Sequence, residues 1–455
     1  MRVVLGVILL AGLEGCWGET KVDTGTPPVF VRDSTTWETG TTGVTTTTTV
    51  ETGGPGRGCD PRTAVVVLGE TDVVSPYATQ LVRDMDGGGL PEVLFEGDDP
   101  RAVQVLRGED LVVGNLVPWF SVPGLNLSQA GFAAGSAGDV DGDGRSELLL
   151  VEANEDENFA SVHSAADPGS SLFSVQLVDA VDDFFGPWPY LATNAGPDLW
   201  GDGVPEVAVG VSGSYAVSLL YVFDGTTRGA VAREDARLVV NGVGPGAFVS
   251  VSPDLDADGN EEFVLVSATN VALVPVGLSG VVTTDDLDVV LTLKRSAMEV
   301  EAYDVDDDGL PEWFLYDDVG RDAVIGFTGG DLAGAARGGS PLDRDGRWIT
   351  VTGGGYLGAV GSRAVSDSNC ETGLAVTAHF DDAVRIVDHP TLLAGGHVDA
   401  DGLPSLRGAT GSWFGYALGG SEDVDGDGTL DLIVADSDPE GAMTTVFLGA
   451  GLLAK

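Results

Sequence analysis

Asp139-Val140-Asp141-Gly142-Asp143-Gly144-Arg145-Ser146-Glu147 runs directly into Leu148, Leu149 and Leu150. The acids at positions 1, 3 and 5 of this nine-residue window alternate with residues that turn away, so a tight loop brings three carboxylates toward one point. Gly at position 6 supplies the backbone freedom that closes such a loop. A fourth acid at position 9 completes the shell as the chain leaves. Ca²⁺ takes six to eight oxygens at about 2.3–2.6 Å, from carboxylates and backbone carbonyls. An EF-hand begins with the same spacing but needs Glu at position 12 and a following helix. Here position 12 is Leu150, and the exit is a short apolar run that reads as a strand.

Five further windows repeat the pattern. Their acids are Asp84, Asp86 and Glu92; Asp198, Asp202 and Glu206; Asp254, Asp256, Asp258 and Glu262; Asp304, Asp306, Asp308 and Glu312; and Asp423, Asp425, Asp427 and Asp431. The window from Asp84 has Gly88 at position 5, and the window from Asp198 has Trp200 at position 3. One isolated copy reads as a solvated acidic turn, because Asp and Gly are favoured there anyway. Six copies hold 22 of the chain's 71 acids, and carboxylates packed this closely repel unless a cation neutralises them. The expected cofactor is therefore Ca²⁺, at up to six sites.

First acids fall at 84, 139, 198, 254, 304 and 423, so the last step is about twice the others. A further copy is expected near Ala364-Val365-Ser366-Asp367-Ser368-Asn369-Cys370-Glu371, where a strand pattern survives and the acids are mostly gone. A period of this size, with several short strands per unit, marks a propeller or solenoid. Seven units of about four strands predict an all-β, seven-bladed β-propeller over residues 61–455.

The residues also resemble a family, the FG-GAP repeats of integrin α-subunit β-propellers and their bacterial VCBS-type relatives. Phe414-Gly415-Tyr416-Ala417-Leu418, then Gly419-Gly420, the loop Asp423 to Asp431 and Leu432-Ile433-Val434-Ala435 carry the best match. Phe185-Gly186, Gly131-Phe132-Ala133 and Gly246-Ala247-Phe248 are partial copies. The resemblance implies that each acidic loop joins the first and second strands of a blade. It also implies a calcium ligand from the position-7 carbonyl of Leu90, Arg145, Val204, Asn260, Leu310 and Thr429. After Asp431 the last blade is one strand short, so the run Thr63 to Leu68 is expected to complete it and close the ring. Cys59 and Cys370 are expected to face each other on the loop side as a disulfide pair.

Upstream, Arg2 and the apolar run Val3 to Leu13 read as a secretory signal over residues 1–15, too short to span a bilayer. Leu13-Glu14-Gly15-Cys16 resembles the lipobox of bacterial lipoproteins, which implies a lipid anchor at Cys16; ordinary cleavage nearby and an uncleaved anchor are the other readings. Residues 16–60, with threonines unbroken from Thr45 to Thr49, read as a Thr/Gly-rich flexible tether. Export to the cell envelope or surface follows.

The formal charge of −49 and only three Lys exclude nucleic acid as a partner, leaving a membrane only through the N-terminal lipid. The leading expectation is a calcium-binding, surface-tethered propeller that mediates adhesion or binds a protein or glycan. A structural module of an envelope assembly is the alternative, and a polysaccharide-active enzyme a third reading. No catalytic residues are assigned, because His163, His379, His389 and His397 sit in no metal or nucleophile–base motif. Trp119, Trp188, Trp348 and Trp413 fall in segments expected to connect blades, where they would pack between blades or form a binding platform.

Overall fold

A computed structural model of the chain describes residues 21–23, 64–71, 80–98, 101–112, 118–123, 133–153, 157–179, 188–191, 196–212, 219–243, 248–267, 269–293, 300–317, 323–353, 357, 362–366, 371–408, 410–436 and 442–448. The signal segment, Cys16, Cys59 and Cys370 lie outside them.

Strand after strand follows the chain, with three short helices among the described residues, Gly108–Val112, Gly329–Ala336 and His389–Ala394. Sheet one is Gln80–Val82, Glu92–Asp98, Arg101–Leu106 and Phe120–Pro123. Sheet two is Ala133–Gly138, Glu147–Ala153, Glu157–His163 and Ser171–Asp179; sheet three is Trp188–Leu191, Val207–Ser212, Leu219–Phe223 and Leu238–Asn241. Sheet four is Phe248–Ser252, Glu262–Val266, Asn270–Leu273 and Asp288–Thr292; sheet five is Val300–Tyr303, Glu312–Asp317, Ala323–Phe327 and Ile349–Thr352. Sheet six is Ser362–Ser366, Thr372–Ala378, Ala383–Val387 and Ser405–Arg407; sheet seven is Ala417–Glu422, Asp431–Ala435 and Ala442–Leu448 with Ala64–Thr71. Neighbouring strands within these sets pair antiparallel. First-to-second connections therefore lie at one face, and second-to-third turns and links between sheets at the other.

The second strands show why the sheets stack in a ring. Leu148 and Leu150 pack with Val82, Leu94 and Val103 of sheet one, while Leu149 and Val151 pack with Val207 and Val209 of sheet three. Alternate side chains point to opposite faces, so a strand covered on both faces reads as a continuous apolar run. Leu432-Ile433-Val434 repeats this, with Leu432 and Val434 toward sheet six and Ile433 toward Leu81 and Val93 of sheet one. The last sheet thus packs on the first. Ala64–Thr71 pairs antiparallel with Ala442–Leu448, so the outer strand of sheet seven comes from the N-terminal side of sheet one.

The expectation of a seven-bladed ring with one worn copy is corrected. Six blades are built on the repeating unit, not seven: sheets one to five and sheet seven each place an acidic loop between their first two strands. Sheet six is a different object. Its first two strands are joined by residues 367–371, against 423–430 in sheet seven, so the connection is too short to hold a nine-residue loop.

Four strands per unit is corrected as well. Gly229–Ala232, Gly280–Thr283, Leu342–Asp343 and Gly396–Asp399 leave their own sheets between third and fourth strands and pair in parallel with the fourth strand of the preceding sheet. Each covers an outer edge that would otherwise expose unpaired backbone. On sheet six, Lys21–Asp23 covers that edge antiparallel to Ser405–Arg407.

Candidate metal centres

The six loops share one backbone frame. In five of them the position-1 carboxylate accepts the N–H of positions 4 and 6, and in the Asp304 loop it accepts those of positions 5 and 6. Gly142 and Gly144 donate to Asp139 at 2.7 and 2.9 Å, Gly87 and Gly89 to Asp84 at 2.6 and 2.8 Å, and Gly201 and Gly203 to Asp198, both at 2.6 Å. Ala257 and Gly259 donate to Asp254, Gly426 and Gly428 to Asp423, and Gly309 and Asp308 to Asp304. Wrapping this tightly requires a left-handed backbone at position 4 as well as position 6, as at Gly142 (φ 78°) and Gly144 (φ 89°).

Position 9 is the buried pillar. Glu147 is 0% exposed and Glu206 1%, and Glu92, Glu262, Glu312 and Asp431 are buried too. Each accepts the N–H of position 2: Met85 to Glu92 at 2.7 Å, Val140 to Glu147 at 2.8 Å, Leu199 to Glu206 at 2.5 Å, Leu255 to Glu262 at 3.0 Å, Val305 to Glu312 at 2.8 Å and Val424 to Asp431 at 2.7 Å. The position-2 side chains are all apolar and buried. Position 2 thus anchors the loop to the core on one side and to the acid on the other, a role that the acid spacing does not announce.

Burial then sets the charge of these acids. Loss of water raises Glu147 to about 7 and Glu92, Glu206 and Glu262 to about 8, with the loop aspartates adding repulsion and the position-2 N–H pulling the other way. Burial raises Glu312 as well. Glu147 Oε1, Glu206 Oε1 and Asp427 Oδ2 are buried with no hydrogen-bond partner.

Carboxylate oxygens converge within 4.8 Å in the groups Asp254–Asp256–Asp258–Glu262, Asp84–Asp86–Glu92, Asp139–Asp141–Glu147, Asp198–Asp202–Glu206 and Asp304–Asp306–Asp308. Two expected ligands stand apart from their groups. Asp143 accepts the Arg145 N–H at 3.0 Å, and Glu312 spends both oxygens on the N–H groups of Val305 and Gly329. Asp423, Asp425, Asp427 and Asp431 share the frame of the other loops.

Neighbouring segments press on the loops. Arg228 Nη2 donates to the Val140 carbonyl at 2.8 Å, Arg337 Nε to the Asp256 carbonyl at 2.9 Å and the Gly277 N–H to the Leu199 carbonyl at 2.7 Å. After the third strand, Gly108 and Gly225 lie so close to Pro91 and Pro205 that a Cβ would sit 2.5 and 2.1 Å from their carbonyl oxygens. The recurring Gly just past a third strand is the sequence signal for this contact.

The histidines and tryptophans stand elsewhere. His163 bonds Ser161 and the Pro168 carbonyl, and burial lowers it, favouring the neutral ring. His389 bonds the Thr372 carbonyl, and exposed His397 lies 3.3 Å from Thr352 Oγ1. Trp119 packs edge-on to Phe120 and Trp348 lies against Phe314, both next to strands of their own sheets. Trp188 begins a strand, so only Trp413 of the four lies in a connection between sheets. It is 45% exposed and meets Phe380, 53% exposed, and Tyr416 at 6.0 and 6.1 Å, with the His379 ring tilted against Phe380 at 4.4 Å. This cluster lies at the face opposite the acidic loops.

No family model and no curated protein matches the chain. Among solved structures it is similar to BBS1N in complex with ARL6DN, soaked with lead, at TM-score 0.41 and 10% identity over 82% of this chain and 95% of that one. It is also similar to the Dos1 propeller, at TM-score 0.42 and 13% identity over 85% of this chain and 89% of that one. The order of its own sheets, each packed on the next and the last on the first, makes the chain a β-propeller.

Proposed function

We propose that the chain is a calcium-binding β-propeller, exported and tethered at the cell surface, that binds another macromolecule. The unpartnered oxygens of buried Glu147 and Glu206 carry the metal reading. A buried carboxylate oxygen with no partner is costly, and a divalent cation at that point offsets the cost and favours the ionised acid. The donors converging there are all oxygens, the set that suits Ca²⁺; nitrogen- and sulfur-seeking metals find no such ligand in these groups. Calcium would neutralise the loops and brace the junction of first and second strands.

The macromolecule-binding half rests on the FG-GAP resemblance and on the exposed Phe380–Trp413–Tyr416 cluster opposite the loops. Export and anchoring at Cys16 rest on the N-terminal sequence. No catalytic step is assigned.

Melting the purified protein in EDTA and then in millimolar CaCl₂ tests the metal reading. One site filled at a hundredfold excess over its Kd adds about 2.7 kcal/mol by mass action, so calcium is expected to raise the melting temperature clearly above the EDTA value. Identical melts would overturn it. A surface display of protein and glycan ligands tests the binding half, with Trp413→Ala expected to abolish whatever binding is found.

A further inference from the structure

Loop one, Asp84 to Glu92, differs from the others in what reaches it. Its position 5 is Gly88, where the other five loops carry Asp143, Asp202, Asp258, Asp308 and Asp427. Arg107, the residue after the third strand of sheet one, turns back beneath it. Its Nε lies 2.9 Å from Asp86 Oδ2, and its guanidinium stands over the Trp119 ring at 4.7 Å from the centroid. The Asp86 side chain is 10% exposed. The pair is a contact of charges rather than an aligned hydrogen bond, since Nε has no bonded acceptor.

Four of the remaining carboxylate oxygens of loop one accept N–H groups of the loop itself. Asp84 holds Gly87 and Gly89, Asp86 Oδ1 accepts the Gly88 N–H at 2.6 Å, and Glu92 accepts the Met85 N–H. No oxygen of this loop is among the buried unpartnered atoms, which include Glu147 Oε1, Glu206 Oε1 and Asp427 Oδ2 of other loops. Loop three is the informative control, because it too lacks an acid and has an arginine on a tryptophan. Arg237 stacks on Trp200 at 4.0 Å, yet its Nη1 pairs with Asp224 at 2.9 Å, outside the loop's acids. Asp198, Asp202 and Glu206 are left to face a cation.

We propose that the Arg107 guanidinium takes the place of the metal in loop one, so that this blade is neutralised by its own chain and stays closed without calcium. A fixed positive charge against Asp86 offsets the repulsion among the three acids and also raises the cost of bringing a divalent cation beside it. The Trp119 face holds the guanidinium in position through cation–π attraction. The counting arm of the test rests on the calcium reading of the other loops; the stability arm does not.

Calcium bound per chain is measured by equilibrium dialysis for the full-length protein and three variants. Asp86→Asn is expected to leave the number unchanged, Asp139→Asn to lower it by one, and Arg107→Gln to raise it by one. A loss of one calcium in Asp86→Asn, or no gain in Arg107→Gln, overturns the proposal. The second arm uses EDTA throughout. Arg107→Gln is expected to melt below the wild type, and the double variant Arg107→Gln/Asp86→Asn to recover part of that loss. Strictly additive effects overturn the proposal, because independent residues add. If the wild type binds no calcium, the calcium reading fails and the melting arm alone decides Arg107.

Discussion

Sheets two and six join a first strand to a second at the same face in opposite ways. Sheet two uses residues 139–146, whose N–H groups turn inward on Asp139 and Glu147 and so gather negative charge around a buried acid. Sheet six uses only residues 367–371, and the strand before them is tied to sheet seven. The Ser366 N–H donates to the Leu430 carbonyl at 3.3 Å, and Ser366 Oγ accepts the Leu430 N–H at 2.8 Å. Its working acid sits at the other face. Asp382, in a left-handed conformation (φ 51°), accepts the N–H groups of Gly411 at 2.7 Å and Trp413 at 2.8 Å and so clamps the link to sheet seven. A sheet of this ring therefore needs no acidic loop to stand. Where the loop exists it adds a buried charge that something else must offset.

The largest expected effect comes from removing that charge. Glu147→Gln keeps an oxygen for the Val140 N–H but takes away the ionised ligand. In saturating calcium the variant should lose the contribution of one site, about 2.7 kcal/mol at a hundredfold excess over Kd. In EDTA at pH 8 the sign should reverse, because the wild type then carries an ionised, partly unpartnered Glu147 in its core. Urea unfolding in both conditions measures the two signs. A loss of equal size in both would make loop two an ordinary structural turn and erase its contrast with sheet six.

The same acids give the chelated protein a pH dependence. Glu147 is raised to about 7, and Glu92, Glu206 and Glu262 to about 8, mainly by burial. The unfolded chain loses these protons near the ordinary Glu value of about 4.3, and the folded chain holds them longer. Their contribution to stability is thus complete below that value and is lost as pH rises through about 7 to 8. Melting in EDTA should therefore fall across this window, and calcium should flatten the fall. A melt in EDTA that rises steadily from pH 5 to pH 8 would contradict it.

Asp382→Ala probes the other side of the comparison. It removes two charge-assisted acceptors at a half-buried site, worth about 1–3 kcal/mol. The loss should be the same with and without calcium, because the clamp lies at the face away from the loops. A calcium-dependent loss would tie sheet six to the metal sites and dissolve the distinction.

What the sequence made legible follows from where chemistry demands fixed spacing. Acids at 1, 3, 5 and 9 stand out because those steps of a tight loop bring carboxylates toward one point, and apolar runs such as Leu148 to Val151 stand out because both faces of a second strand are covered. The short connection of sheet six was misread because averaging the spacing from Asp304 to Asp423 does not measure the length of any one connection. The donated strands stayed hidden for another reason. Gly229–Ala232 and Gly396–Asp399 are four residues long and mostly exposed, so they carry no apolar period to detect. Arg107 and Asp382 act through folded proximity, on Asp86 and on Trp413, and no local pattern marks such a contact.

The smallest effect isolates the backbone of the loop from its charge. Position 4 is glycine in four loops, but Ala257 (φ 67°) and Asp307 (φ 60°) hold the same left-handed conformation with a Cβ. That conformation costs a non-glycine residue roughly 1–2 kcal/mol, while glycine gives back about 0.5–1 kcal/mol through the freedom of its unfolded chain. Ala257→Gly should therefore stabilise by no more than about 1 kcal/mol. Gly142→Ala should destabilise by a similar amount, because a Cβ there meets nothing within 4 Å and the cost is purely conformational. Both shifts should be equal in calcium and in EDTA if the frame of hydrogen bonds to Asp139 and Asp254 sets the loop by itself. If they appear only in calcium, the cation and not the backbone closes the loop, and the acidic loops would differ from sheet six in folding as well as in charge.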